Sequence, residues 1–79
     1  MKFHIENRAE ISDVLLFELV LKVINQGLIS NNDTEYCYAT LIGLSSGNEY
    51  IVQTIKTNYG YRIIVGKHKE KTHEQTDNR

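Results

Sequence analysis

The run Ser12-Asp13-Val14-Leu15-Leu16-Phe17-Glu18-Leu19-Val20-Leu21-Lys22-Val23-Ile24-Asn25-Gln26-Gly27 carries the start and stop signals of one helix. Ser12 is of the residue type that caps the free amides of a first helical turn, and Asp13 suits the positive end of the helix dipole. Ile11 stands where it can staple to Leu16. Gly27 tolerates the left-handed conformation that closes a helix, so the spacing predicts a helix from Asp13 to Gln26. Leu16, Phe17, Leu19, Val20, Leu21, Val23 and Ile24 cover an arc of roughly 200°, wider than the stripe of a little over 100° that a surface helix buries. Glu18, Lys22 and Asn25 form a narrow polar stripe expected to face solvent, with Glu18 and Lys22 in i,i+4 register. The excess apolar arc has two readings: a helix wrapped deep in its own core, or a second apolar surface covered by another chain.

On either side of this helix the periodicity changes from helical to alternating. Before it, Phe3 and Ile5 alternate with His4 and Glu6, which predicts a short strand over Lys2 to Glu6. After it, Leu28 and Ile29 return the chain beneath a sheet, and Ser30-Asn31-Asn32-Asp33-Thr34 supplies turn chemistry. From Tyr36 the alternation resumes, with Tyr36, Tyr38, Thr40 and Ile42 on one side and Cys37, Ala39 and Leu41 on the other. Ser45-Ser46-Gly47-Asn48 and Thr57-Asn58-Tyr59-Gly60 are turns that bound strands over Tyr50 to Lys56 and Tyr61 to Val65. The predicted order is β-α-β-β-β: an α+β domain with one helix packed on a mainly antiparallel four-stranded sheet. Residues 1–66 form that domain. Residues 67–79 have no aliphatic or aromatic side chain to bury and are expected to be a disordered polar tail, its first residues extending the last strand at most.

At 79 residues the chain has room for one small domain. Domains of this size often gain stability from a partner subunit, which together with the broad apolar arc points to a homodimer. Cys37 is the single cysteine and has no CxxC or His/Cys cluster beside it, so a reducing cytoplasm is the expected compartment and core packing the expected role. The charged N-terminal stretch is not expected to act as a signal peptide, and no apolar run approaches the roughly 18 residues of a membrane span. His4, His68 and His73 offer no metal-ligand spacing, and the five separated glycines build no phosphate loop, so no metal, cofactor or catalytic residue is assigned. The expectation is a protein that is not an enzyme.

Charge is polarised along the chain: residues 1–50 carry a net charge of −4 and residues 51–79 a net charge of +3. Two binding readings follow. Tyr36, Tyr38 and Tyr50, with Glu10, Asp13 and Glu18 near the helix start, are candidates for a protein interface, because tyrosine gives contact area at low rotamer cost. Cross-strand packing on a half-buried sheet accounts for the same tyrosines. Lys56, Tyr59, Tyr61, Arg62, Lys67 and Lys69 are candidates for a nucleic-acid surface, with cations and stacking rings on the last hairpin.

Over roughly residues 4 to 65, the segment Lys22-Val23-Ile24-Asn25-Gln26-Gly27 and the Tyr36-Cys37-Tyr38 strand resemble small uncharacterised proteins encoded by phages and prophages of low-GC Gram-positive bacteria. The resemblance implies no functional residue. It implies a non-enzymatic binder that blocks a host or defence protein in the host cytoplasm.

Overall fold

A computed structural model describes residues 2–44 and 46–67. Five elements follow in the predicted order: β1 (Lys2–Asn7), α1 (Asp13–Asn25), β2 (Cys37–Ile42), β3 (Glu49–Lys56) and β4 (Gly60–Lys67). The domain is α+β, one helix on a four-stranded sheet of order β1-β4-β3-β2. The sheet is mixed. The β2-β3 and β3-β4 pairs are antiparallel, whereas β1 lies parallel to β4. Two reversals make β2 run in the same direction as β4, so β1, α1 and β2 form a crossover unit with β3 and β4 inserted between its strands.

Both helix ends are closed by the groups that the sequence supplies. Ser12 Oγ accepts the Leu15 amide at 3.2 Å. At the other end Gly27 has φ +68°, its amide bonds the Ile24 carbonyl, and the Leu28 amide bonds the Val23 carbonyl. That paired closure needs a residue at ease in the left-handed region, which is why glycine stands there. Leu28 then packs on the core together with Ile29, as the return of the chain under the sheet required.

The core lies between α1 and one face of the sheet. Leu15, Leu19, Val20 and Val23 pack with Leu41 of β2, Tyr50 and Val52 of β3, and Ile63 and Val65 of β4. Thr54 is the buried polar residue of this layer, and its hydroxyl is satisfied on both sides: it accepts the Ser30 amide at 3.0 Å and donates to the Leu28 carbonyl at 3.1 Å. Gly43, in the β2–β3 connection, stands where a Cβ would approach Leu15 Cδ1 to 2.8 Å, so the helix seats directly on the backbone at that corner.

The polar stripe of α1 corrects the expectation of a solvent-facing edge. Glu18 Oε2 accepts the Leu44 amide at 2.7 Å, and Lys22 Nζ donates to the Ile42 carbonyl at 2.9 Å, while the two side chains keep their i,i+4 ion pair at 3.6 Å. These residues fasten the helix to the end of β2. The wide apolar arc divides as a result. Its inner part is core, and Phe17, Leu21 and Ile24 are exposed, joined by Val14, which the arc did not include. β4 continues to Lys67, so the last strand includes the first residue of the expected tail; the rest of that tail, from residue 68, lies outside the described residues.

Candidate protein-binding face

Strand alternation puts a second set of side chains on the sheet face opposite α1. From β2 come Tyr38, Thr40 and Ile42, with Tyr36 just ahead of the strand; from β3, Ile51, Gln53 and Ile55; from β4, Arg62 and Ile64; from β1, His4 and Glu6. Among the described residues no element packs over this face. The registers set these residues in rows. Cys37 opposite Thr54 places Tyr36 in line with Ile55, which stands opposite Arg62, which stands beside His4. The next row is Tyr38, Gln53, Ile64 and Glu6.

Arg62 ties the rows together. Its Nε and Nη2 donate to Glu6 Oε2 at 2.8 and 2.5 Å, and its Nη1 donates to the Tyr36 hydroxyl at 3.2 Å. Arg62 therefore links β1, through Glu6, with the residue just ahead of β2, through the Tyr36 hydroxyl, in the row that also holds Ile55. Glu6 is shared, since its Oε1 accepts Arg8 Nε at 3.1 Å, and His4 Nε2 stands 3.7 Å from Oε2. The hydrogen bonds from Arg62 hold the Glu6 carboxyl below the usual glutamate range, and the same pairing raises Arg62 above the usual arginine value. Tyr36 and Tyr38 lie with ring centroids 6.5 Å apart in a tilted arrangement. Gly66, opposite Ile51, leaves a shallow gap in the layer: a Cβ there would meet nothing within 4 Å.

The structure separates the residues expected to share one protein interface. Tyr36 and Tyr38 belong to the open face. Tyr50 does not: it is 2% exposed, packed under α1, with its hydroxyl 3.1 Å from Ser46 Oγ, so its place is in the core. Its register makes this unavoidable, since it faces Leu41 on the helix side of the sheet. Glu10 and Asp13 are exposed at the start of α1, with Glu10 in the left-handed region at φ 56°, and Glu18 is occupied by Lys22 and the Leu44 amide.

The set expected for nucleic acid is divided as well. Lys56 and Tyr61 are register partners on the helix side of the sheet, where Tyr61 stacks on Phe3 at 5.8 Å. Arg62 points to the opposite face, into the pair with Glu6. Tyr59 is exposed in the β3–β4 turn, Lys67 ends β4 at the far end from Tyr61, and Lys69 lies outside the described residues. Glu6, Ile51, Ile55 and Ile64 complete the open face without having been singled out. The signal for Ile51 and Ile64 was present in β3 and β4, where Tyr50-Ile51-Val52 and Ile63-Ile64-Val65 place apolar side chains on both sides of one strand.

Among the described residues no group of three or more His, Cys, Asp or Glu side chains is placed to hold a metal ion, and no helix is long and apolar enough to cross a membrane. Cys37 is a free thiol, partly buried on the helix side of β2. Compared with known proteins, the chain matches no family model, no curated protein and no solved structure.

Proposed function

We propose that this chain is a non-catalytic protein-binding module that captures its partner on the open sheet face. The observation that carries the reading is the placement of Arg62, a guanidinium held between the Glu6 carboxylate and the Tyr36 hydroxyl on a face with the half-buried Ile51 and Ile55, the exposed Tyr38, and Ile64 buried beneath them at 4% exposure. Arginine and tyrosine within an apolar field are the residue types that anchor protein interfaces. Here the arginine is already oriented, so binding does not have to fix a long flexible side chain. The resemblance to phage-encoded proteins extends the proposal to an inhibitor that occupies a surface of a host or defence protein.

The test is capture of a partner from nuclease-treated lysate by the immobilised chain, repeated with variants of the face. Tyr38→Ala removes an exposed ring, and Gly66→Arg fills the gap with a side chain whose Cβ meets no neighbour, so both leave the fold intact. The expected result is a defined protein partner that both variants lose and that Lys56→Glu retains. Capture indifferent to both face variants overturns the assignment. So does recovery of nucleic acid alone, with affinity falling steeply between about 50 and 200 mM salt, because phosphate contacts release counterions.

A further inference from the structure

The outward side of α1 presents Val14, Phe17, Leu21 and Ile24 to solvent, at 79, 65, 54 and 37% exposure. Their spacing of three, four and three residues is the alternation of a helix–helix seam, in which every apolar position falls on one narrow line. At ordinary side-chain areas of roughly 150–200 Å² the line leaves on the order of 400 Å² of apolar surface exposed, within the roughly 300–600 Å² of the largest patch on a typical monomer, which is often functional. Leu44, 79% exposed, adds about 130 Å² beside it, because its amide is held by Glu18, one turn from Val14 and three residues from Leu21.

We infer that this seam is the contact between two copies of the chain, packed helix against helix about a two-fold axis with the helices antiparallel. The order of side chains is self-complementary in that arrangement. Val14 meets the partner copy's Ile24, Phe17 meets its Leu21, and each contact occurs twice, as a two-fold axis requires. Small is set opposite large at the ends, and the two bulkiest contacts fall at the centre. The antiparallel sense also sets the positive N-terminal end of each helix, with Asp13, beside the negative C-terminal end and Asn25 of the other; a parallel pair would bring the two Asp13 carboxylates and two like dipole ends together. Glu18 and Lys22 flank the seam with their charges already paired, so closing it buries no unmatched charge. Two copies of stripe and Leu44 bring together on the order of 1,000 Å², which reaches the area a specific interface needs. The layers of the dimer are sheet, helix, helix, sheet, and both open sheet faces remain on the outside. The inference stands apart from the sheet-face reading, since it uses the opposite side of the molecule.

Sedimentation equilibrium of the full chain tests it, at roughly 10–100 µM, where an interface at the small end of the range is populated. The expected mass is about twice the monomer's 9.1 kDa. Phe17→Glu and Leu21→Lys each introduce a charge at an exposed position, and each is expected to weaken association at least about thirtyfold. Mixing the two variants is expected to restore the dimer, because the antiparallel register sets the new carboxylate of one chain against the new ammonium of the other. Circular dichroism of both variants monitors the fold. A wild-type chain that stays monomeric overturns the inference. A dimer indifferent to both substitutions also overturns it, and a mixture that stays monomeric overturns the antiparallel register.

Discussion

Replacing Thr54 with valine tests how the sheet is tied to the chain that leaves α1. Thr54 is fully buried, and its hydroxyl is the bridge between β3 and the chain that follows α1: the Ser30 amide donates to it and the Leu28 carbonyl accepts from it. Valine has nearly the same shape and removes only that bridge. Two partly buried backbone groups then lose their partner, at about 1–3 kcal/mol for an unsatisfied group, while the added methyl recovers up to about 1 kcal/mol of burial. The net expectation is a destabilisation of about 2 kcal/mol. For a domain of this size that lowers Tm by about 8–16 °C, out of a total stability of roughly 4–12 kcal/mol. Urea unfolding is the assay, with a lower midpoint and an unchanged slope as the expected form. Amide exchange at Ser30 adds a local readout, since its protection depends on the missing oxygen. Thr54→Ser keeps the bridge and loses one methyl, so it should cost only about 1 kcal/mol. A Thr54→Val protein as stable as the parent, or a serine variant less stable than the valine one, refutes the reasoning and returns Thr54 to the role of a packing residue.

Three further outcomes are expected. Arg62 holds the folded-state carboxyl of Glu6 below the usual value of 4.5, so the stability from this pair is present above 4.5 and is lost as pH falls through the folded value. Glu6→Gln should therefore flatten the acid limb of a plot of Tm against pH, measured from about pH 6 down to about pH 3. Gly60→Ala should free β1, because a Cβ there would stand 1.9 Å from the Lys2 carbonyl oxygen; more than about 1 kcal/mol of stability is lost, and amide shifts along Lys2–Asn7 and Gly60–Lys67 change together. Tyr50→Ala should cost about 3–5 kcal/mol as a core truncation, whereas Tyr50→Phe loses the Ser46 contact alone, about 1 kcal/mol, and leaves partner capture unchanged.

The order of elements and the strand faces were legible because alternation and capping are local. Tyr36, Tyr38, Thr40 and Ile42 do share one side of β2, and Ser12 and Gly27 do close the helix. The position of β1 was not legible. A meander of β2, β3 and β4 offers two edges to a fourth strand, and the choice depends on pairings between residues more than fifty positions apart. The features that accompany the choice are present in the sequence but have no local meaning: Gly60, where the backbone of Lys2 comes too close for a side chain, and Glu6 with Arg62, whose opposite charges meet only once β1 lies beside β4. The candidate face was half legible for the same reason. Tyrosine marked Tyr36 and Tyr38, while Tyr50, of the same type, falls on the other parity of its strand and disappears into the core.

The orientation of α1 shows where a pattern argument needs an inventory of backbone groups. A wheel assigns Glu18 and Lys22 to solvent because they are charged. The β2–β3 corner, however, brings the Leu44 amide and the Ile42 carbonyl beside the helix, and Glu18, as acceptor, and Lys22, as donor, are the groups that reach them. Satisfying those groups turns the charged stripe to the flank of the helix and turns Phe17 and Leu21 outward. Were the charged stripe at the solvent side instead, the exposed apolar line would be covered by the sheet, and the Leu44 amide and Ile42 carbonyl would lose these two partners. A helix held in this way by its polar residues has an apolar surface left over, and its width is that of one neighbouring helix. The same clamp predicts a coupling between the two surfaces of α1: Glu18→Gln weakens the hold on Leu44 and the pairing with Lys22, and it should lower dimer affinity through the displaced Leu44 without touching the seam itself. Sedimentation equilibrium of Glu18→Gln beside that of Leu44→Ser checks this. If the leucine change weakens association and the glutamine change leaves it untouched, the clamp plays no part in shaping the interface.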